Sequence, residues 1–214
     1  MKNTSITPQT TSTRNIIEFK SLLLIIFISS LTINLNAQII SLFTWETADI
    51  TRADIGPNFR SSNSSVFSGN SGASGSRGLN AGLPKKDLNL VLEDNSIFNV
   101  AGIDVSFDYQ RDESAGTFFS RGNSLRIKGC NRISVIYRVD NGSGGFRTVN
   151  SGNVYNIPND NTFRNYRFVY LPTTGVGTLL VNGTVVWSHD GPNNRNMYWN
   201  GAGDIVIGAG MDGS

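Results

Sequence analysis

The sequence predicts an all-β fold, two antiparallel sheets packed as a jelly-roll sandwich, and three observations carry that prediction. Short apolar runs recur at roughly 8–12-residue intervals, with clusters of Gly, Asn, Asp and Ser between them. No window shows the 3.6-residue period of an amphipathic helix. Asn182-Gly183 lies between Leu179-Leu180-Val181 and Thr184-Val185-Val186-Trp187, and an Asn-Gly pair flanked by apolar and β-branched residues is a strong hairpin signal, because both central residues of a type I′ turn need φ > 0.

The first stretch stands apart from the fold. Met1 to Lys20 is polar and carries Lys2, Arg14 and Lys20; Ser21 to Ile33 is apolar; Asn34-Leu35-Asn36-Ala37 then places a small residue just before Gln38. That layout reads as a secretory signal peptide over residues 1–37, cleaved after Ala37, with a single β-sandwich domain over 38–214. The apolar run is 13 residues, short of the ~20 that a spanning helix needs, so no membrane insertion is expected once the leader is removed. The leader holds three of the 18 Lys and Arg and one of the 16 Asp and Glu. The rest of the chain is therefore formally neutral and gives no reason to expect nucleic acid as a partner. Cys130 is the only cysteine; intrachain disulfides and Cys-based zinc clusters are excluded, and a free thiol in a short turn is expected, with disulfide dimerisation in an oxidising compartment as the alternative.

Ile39 to Trp45 reads as a first strand, though too apolar to alternate cleanly. Ala48 to Asn80 is rich in Ser, Gly and Asn, with Phe59, Val66, Phe67 and Leu79 its only bulky apolar residues after Ile55. It buries too little to offset the ~1–2 kcal/mol per residue cost of ordering backbone, so a surface loop with at most short strand pieces is expected. Leu88, Leu90 and Leu92 share one side of the next strand. The clearest alternation follows, Ile103, Val105, Phe107 and Tyr109 against Asp104, Ser106, Asp108 and Gln110, as in an antiparallel strand with one wet face.

Extended runs are then predicted at Thr117–Arg121, Leu125–Lys128, Ile133–Val139, Phe146–Thr148, Val154–Ile157 and Asn165–Tyr170, with a turn at Asp140–Gly145. In the hairpin that follows, a two-residue turn sets Val181 opposite Thr184, Leu180 opposite Val185, Leu179 opposite Val186 and Thr178 opposite Trp187. Both faces of that ribbon are apolar, so it is expected to be covered on both sides and not to lie on a free edge. Gly191 to Gly203 is a loop, and Ile205-Val206-Ile207 is the last strand.

This order of pieces resembles the laminin-G-like and pentraxin-like branch of the concanavalin A-like lectin/glucanase superfamily. The residues that carry the likeness are Ile103–Tyr109, Thr117–Gly122, Leu125–Lys128, Ile133–Arg138, Asn165–Tyr170 and Leu180–Thr184. The resemblance implies a jelly-roll and leaves activity open among glycan binders, adhesion modules and glycosidases. In that fold the first strand lies beside the last. Here the sequence ends soon after Ile205–Ile207, which would leave Ile39–Trp45 as an unpaired apolar edge. An N-terminal fragment of a longer secreted protein, lacking the last strand and followed by further domains, is the expectation.

The glucanase carboxylate string Glu-x-Asp-x-x-Glu is absent. Asp104 and Asp108 share a face, but a ~3.3 Å rise per residue sets them about 13 Å apart, beyond the ~5–9.5 Å span of glycosidase acid pairs. His189, the only histidine, gives too few ligands for a His-based zinc site. Two binding signals remain. Arg195, Tyr198, Trp199 and Asn200 put aromatic rings and amides on a loop, the composition that sugars favour; the competing reading is that Trp199 folds back to cap the sandwich. The resemblance also implies calcium at the rim, with Asp140, Asp204 and Asp212 beside turns. A hard cation wants six to eight oxygens, and these three form no local loop motif, so the metal stays open. No cofactor is otherwise expected. The reading is a secreted, non-catalytic module that binds glycan or matrix or serves adhesion; the alternatives are a structural accessory domain and a glycoside hydrolase.

Overall fold

Where side chains alternate between apolar and polar, the backbone can bury one set only by pairing as a strand, and the chain does so at each such run among the described residues. The computed structural model describes residues 38–60, 67–69, 72–80, 90–111, 116–129 and 131–208. The leader, Val66, Leu88, Cys130 and Asp212 lie outside them, and everything below concerns the unit Ile39–Ser214. The strands are β1 (Phe67–Gly69), β2 (Gly78–Asn80), β3 (Leu90–Leu92), β4 (Ile103–Tyr109), β5 (Gly116–Arg121), β6 (Leu125–Gly129), β7 (Arg132–Asp140), β8 (Phe146–Asn150), β9 (Tyr155–Asn156), β10 (Arg164–Leu171), β11 (Val176–Val181), β12 (Thr184–Asp190) and β13 (Ile205–Ile207). No helix among the described residues is long and apolar enough to cross a membrane.

Two antiparallel sheets form a sandwich. One has four strands in the order β12-β11-β10-β4. The other has seven, in the order β3-β13-β5-β6-β7-β8 with β9 also on β7, and β1 and β2 make a separate ribbon. Ile133, Val135, Tyr137 and Val139 of β7 face Tyr166, Phe168 and Tyr170 of β10 and Leu179 and Val181 of β11 in one apolar cluster between the sheets. The rings meet at preferred offsets: Tyr137 lies 5.2 Å from Phe168 and 5.4 Å from Tyr170 between centroids, tilted by about half a right angle in each case. A second cluster holds Phe59, Leu90, Leu92, Phe98 and Ile205 at the β3–β13 end of the large sheet.

The Asn-Gly hairpin is present, with φ of 48° at Asn182 and 76° at Gly183. Its first two pairs, Val181 with Thr184 and Leu180 with Val185, are as the two-residue turn requires. Beyond them the predicted register is wrong by one residue. A β-bulge between Leu179 and Leu180 leaves Leu179 opposite Trp187 and Thr178 opposite Ser188. The expected pairing would have turned the indole to the solvent face; the extra residue in β12 lets both Val186 and Trp187 pack on the central cluster. The expectation that the hairpin avoids a free edge is also overturned, since β12 is an edge of its sheet and Val185 is exposed. Among the described residues no strand pairs with that edge, and the bulge interrupts it.

Ile39–Trp45 is not a strand. It makes one isolated bridge, Leu42 with Ile55, and Trp45 takes a left-handed φ of 55°. An apolar run without alternation has no face to present to water, and this one lies against the second cluster instead. Phe43 stacks on Phe59 at 4.1 Å and on Trp45 at 6.0 Å. The last strand therefore needs no partner from this segment: β13 pairs with β3 on one side and β5 on the other. The Ser/Gly/Asn-rich stretch contributes only the short β1 and β2, as expected, yet Phe59 within it is buried and pins the loop down.

Candidate functional site

β7 sets the geometry of the best candidate site. Val139 points into the core, so Arg138 and Asp140 point out, and the register of β8 puts Thr148 beside Arg138 and Phe146 beside Asp140 on the same outer face. The 191–203 loop completes the surface from the other flank. Met197 bridges to Val139 and is buried, the Tyr198 amide donates to the Arg138 carbonyl at 3.0 Å, and the Asp140 amide donates to the Asn196 carbonyl at 2.9 Å. That pairing turns Tyr198 outward, towards Phe146.

The result is an aromatic shelf at one end of the sandwich. Phe146 and Tyr198 sit 5.2 Å apart between centroids, tilted by 42°, and the Arg138 guanidinium carbon lies 4.1 Å from the Phe146 centroid. Phe146 keeps 42 % of its surface exposed, in a strand position where a polar residue would ordinarily stand. The Arg138 Nε is buried and has no hydrogen-bond partner among the described residues. A ring face beside a cation, both held by backbone pairing, offers stacking area and N–H donors together.

Around the shelf the backbone is tied in place. The Asn141 carboxamide oxygen accepts from the Ser143 and Gly145 amides at 2.9 and 3.1 Å, and Asp140 Oδ1 accepts from the Gly142 amide at 2.5 Å. Gly142 has a φ of 81° and lies under Arg195: a Cβ there would come within 2.1 Å of Nη1. The Arg195 carbonyl accepts from the Tyr170 hydroxyl at 2.6 Å. Burial pushes that hydroxyl's pKa up, with Arg195 opposing the shift.

The four residues singled out in the loop thus part company. Tyr198 comes to the shelf, Arg195 lies over Gly142 in the neighbouring turn, and Asn200 is exposed beside Tyr198, its Nδ2 donating to the Tyr198 hydroxyl at 3.3 Å. Trp199 points the opposite way. Its Nε1 donates to the Val100 carbonyl at 2.7 Å, and the Arg121 guanidinium lies 4.9 Å from its ring. Arg121 is itself buried, donating to the Phe98 carbonyl at 2.8 Å and to Asp94 at 2.6 Å. Phe146 and Arg138 escaped the sequence reading. The signal that could have found Phe146 is its phase: Val149 faces the core, so position 146 falls on the outer face, where an aromatic is out of place.

Of the three acidic residues expected to hold calcium, Asp212 lies outside the described residues and the other two have partners of their own. Asp140 belongs to the turn just described. Asp204 accepts from the Asp94 amide at 2.8 Å and from Arg60 at 2.9 Å. Among the described residues no group of three or more His, Cys, Asp or Glu gathers as a metal site would need. On the far face, Asp104 is held by Arg167 through bonds of 2.8 and 2.5 Å, and Asp108 accepts from Asn165 at 2.9 Å. His189 closes the inner side of β12, stacked with Trp187 at 6.2 Å.

No family model matches the chain, and no curated protein matches it. Among solved structures the chain is similar to one from botulinum neurotoxin type C, a toxin that depends on two ganglioside molecules to enter cells. The identity is 12 %, the TM-score 0.44, and the likeness covers 82 % of this chain and 44 % of that one. It is also similar to the CBM40 module of a Ruminococcus gnavus IT-sialidase, at 14 % identity and a TM-score of 0.35, covering 53 % of this chain and 65 % of the other. The same module bound to alpha2,3 sialyllactose gives 13 % and 0.34. The chain therefore spans less than two thirds of the length of each of these.

Proposed function

We propose that this chain is a non-catalytic glycan-binding β-sandwich module, and that the Phe146–Tyr198–Arg138 shelf is its binding surface. The observation that carries the reading is the exposed, tilted aromatic pair with a guanidinium stacked on it, on a strand face otherwise given to polar side chains. Two rings at that spacing can take the apolar faces of a sugar, while Arg138, Arg195 and the Asn200 amide supply donors to its hydroxyls. The leader-like first 37 residues favour a secreted or surface-exposed protein, in which such a module would bind glycan or matrix, or serve adhesion. Laminin-G-like architecture within the concanavalin A-like superfamily remains the finer reading of the fold.

The test is a glycan array followed by titration calorimetry on the best ligand, with wild-type chain and the variants Tyr198→Ala and Phe146→Ala. Each substitution is expected to weaken binding by about tenfold, the worth of one stacked ring, while leaving the melting temperature within a degree or two. Binding unchanged in both variants, or no glycan bound at millimolar concentration, would sink the proposal. Polysaccharide hydrolysis lost on substituting one Asp or Glu would overturn the non-catalytic part alone.

A further inference from the structure

At the other end of β10 from the Tyr170–Arg195 contact lies an open groove of about 460 Å³, walled by Ser74, Asp108, Asn161, Phe163 and Asn182. That volume falls within the range of small-ligand clefts. Its polar groups are fixed by one residue. The Asn165 Nδ2 donates to Asp108 Oδ1 at 2.9 Å, and the Asn165 amide donates to Asn182 Oδ1 at 2.9 Å. Each partner is thereby held by one atom and keeps the other for use: Asp108 Oδ2 as an acceptor and Asn182 Nδ2 as a donor have no partner among the described residues.

Charge in the groove is equally settled. Arg164 is bound in a fork by Asp160, through bonds of 2.8 and 2.6 Å, so its cation is already answered. Asp108 is left as the unmatched charge, and it disfavours an anion. Three of the five non-glycine residues with positive φ in the described chain are at this rim, Ser74 at 56°, Asn161 at 55° and Asn182 at 48°. Each belongs to a turn, the 3-10 turn Ala73–Gly75, the Asp160–Thr162 bend and the Asn182-Gly183 hairpin, so the rim is built from three tight turns.

We infer that this groove is a second ligand site, distinct from the aromatic shelf, that takes an uncharged polyhydroxyl compound through a pair of neighbouring hydroxyls. One hydroxyl donates to Asp108 Oδ2 while the next accepts from Asn182 Nδ2, and Phe163 and the Asn161 amide line the space beside them. A vicinal diol on a sugar ring supplies that donor and acceptor side by side. A uronic acid or sialic acid brings its carboxylate towards Asp108, and Arg164, the one cation among the described lining residues, is already held by Asp160.

Amide-resolved NMR titration of the chain tests this, with methyl β-glucoside and methyl α-mannoside as neutral probes and glucuronate as the charged one. The expected result is a shift of the Asn161, Asn165 and Asn182 amide signals with at least one neutral probe, and a smaller response to glucuronate. Asp108→Asn and Asn182→Asp, the latter still suited to the turn, each weaken that response by about tenfold, the worth of a hydrogen bond to a charged or buried partner. Tyr198→Ala leaves it unchanged, so loss of the shelf and loss of the groove are told apart. No shift at these residues with any probe, a stronger response to glucuronate, or the same signals moved by calcium ions alone would overturn the inference.

Discussion

The two apolar clusters are built by different means. Between the sheets, Tyr137, Phe168 and Leu179 are delivered by strands whose side chains alternate, so each residue's place follows from its phase. At the β3–β13 end, Phe43, Trp45 and Phe59 come from irregular chain and meet by stacking, with scattered backbone bonds, Leu42 to Ile55, Phe59 to Thr51 and Arg60 to Val91, in place of a ladder. Long ladders lock the first cluster; the second joins the short β3–β13 ladder to loop residues held by stacking and those few bonds. The lesson is that equal burial does not mean equal resistance to opening, because a ladder must break cooperatively while a stacked loop can lift on its own.

The largest effect that would test this contrast is Phe168→Ala in the central cluster, expected to cost about 3–5 kcal/mol and to lower the denaturation midpoint of every probe together. A loss confined to part of the molecule would break the comparison. Alkaline pH comes next, because of the two clusters only the central one holds tyrosine. Burial raises the Tyr166 hydroxyl to about 12 and raises Tyr137 and Tyr170 too. A hydroxyl whose folded pKa exceeds its unfolded value near 10 favours the native state in full below pH 10 and loses that contribution as pH climbs towards 12. For Tyr166 this is on the order of 2–3 kcal/mol. Absorbance at 295 nm should show these phenols ionising only with unfolding, and ionisation at pH 10 with the fold intact would contradict it. Phe59→Ala is expected to be the mildest, about 2 kcal/mol, since a loop-borne ring can be replaced by a partial collapse of the loop. Its hydrogen-exchange signature is faster exchange at residues 40–60 with β7 and β10 little changed.

The same contrast explains what could be read in advance. β4, β7 and β10 were legible because a period of two leaves one register that buries the tyrosines and phenylalanines. Ile39–Trp45 has no period, so its β-rich composition suggested a strand that the backbone does not make. The bulge in β12 was hidden because local pairing rules favour an even ladder, and only the competition between Val186 and Trp187 for the core disturbs it. At the candidate site, loop aromatics drew attention to Tyr198 and Trp199 equally. Which one faces out is decided by the bridge between Met197 and Val139, a contact between residues far apart in sequence. Arg138 needed the same long-range information, because in sequence it is one polar residue in a regular alternation.

The bulge between Leu179 and Leu180 also bears on how crowded copies of this chain behave. An edge strand invites another extended chain to continue the sheet, and the seven residues of β12 would be long enough to serve as a seed. With one residue out of step after Val185, an incoming strand that matches Thr184–Val185 cannot also match Trp187–Asp190, and the charge on Asp190 marks the far end. Growth by edge addition is thereby limited to a few bonds at a time. The residue that seats Trp187 in the core also makes the open side of the sheet a poor template for fibrils.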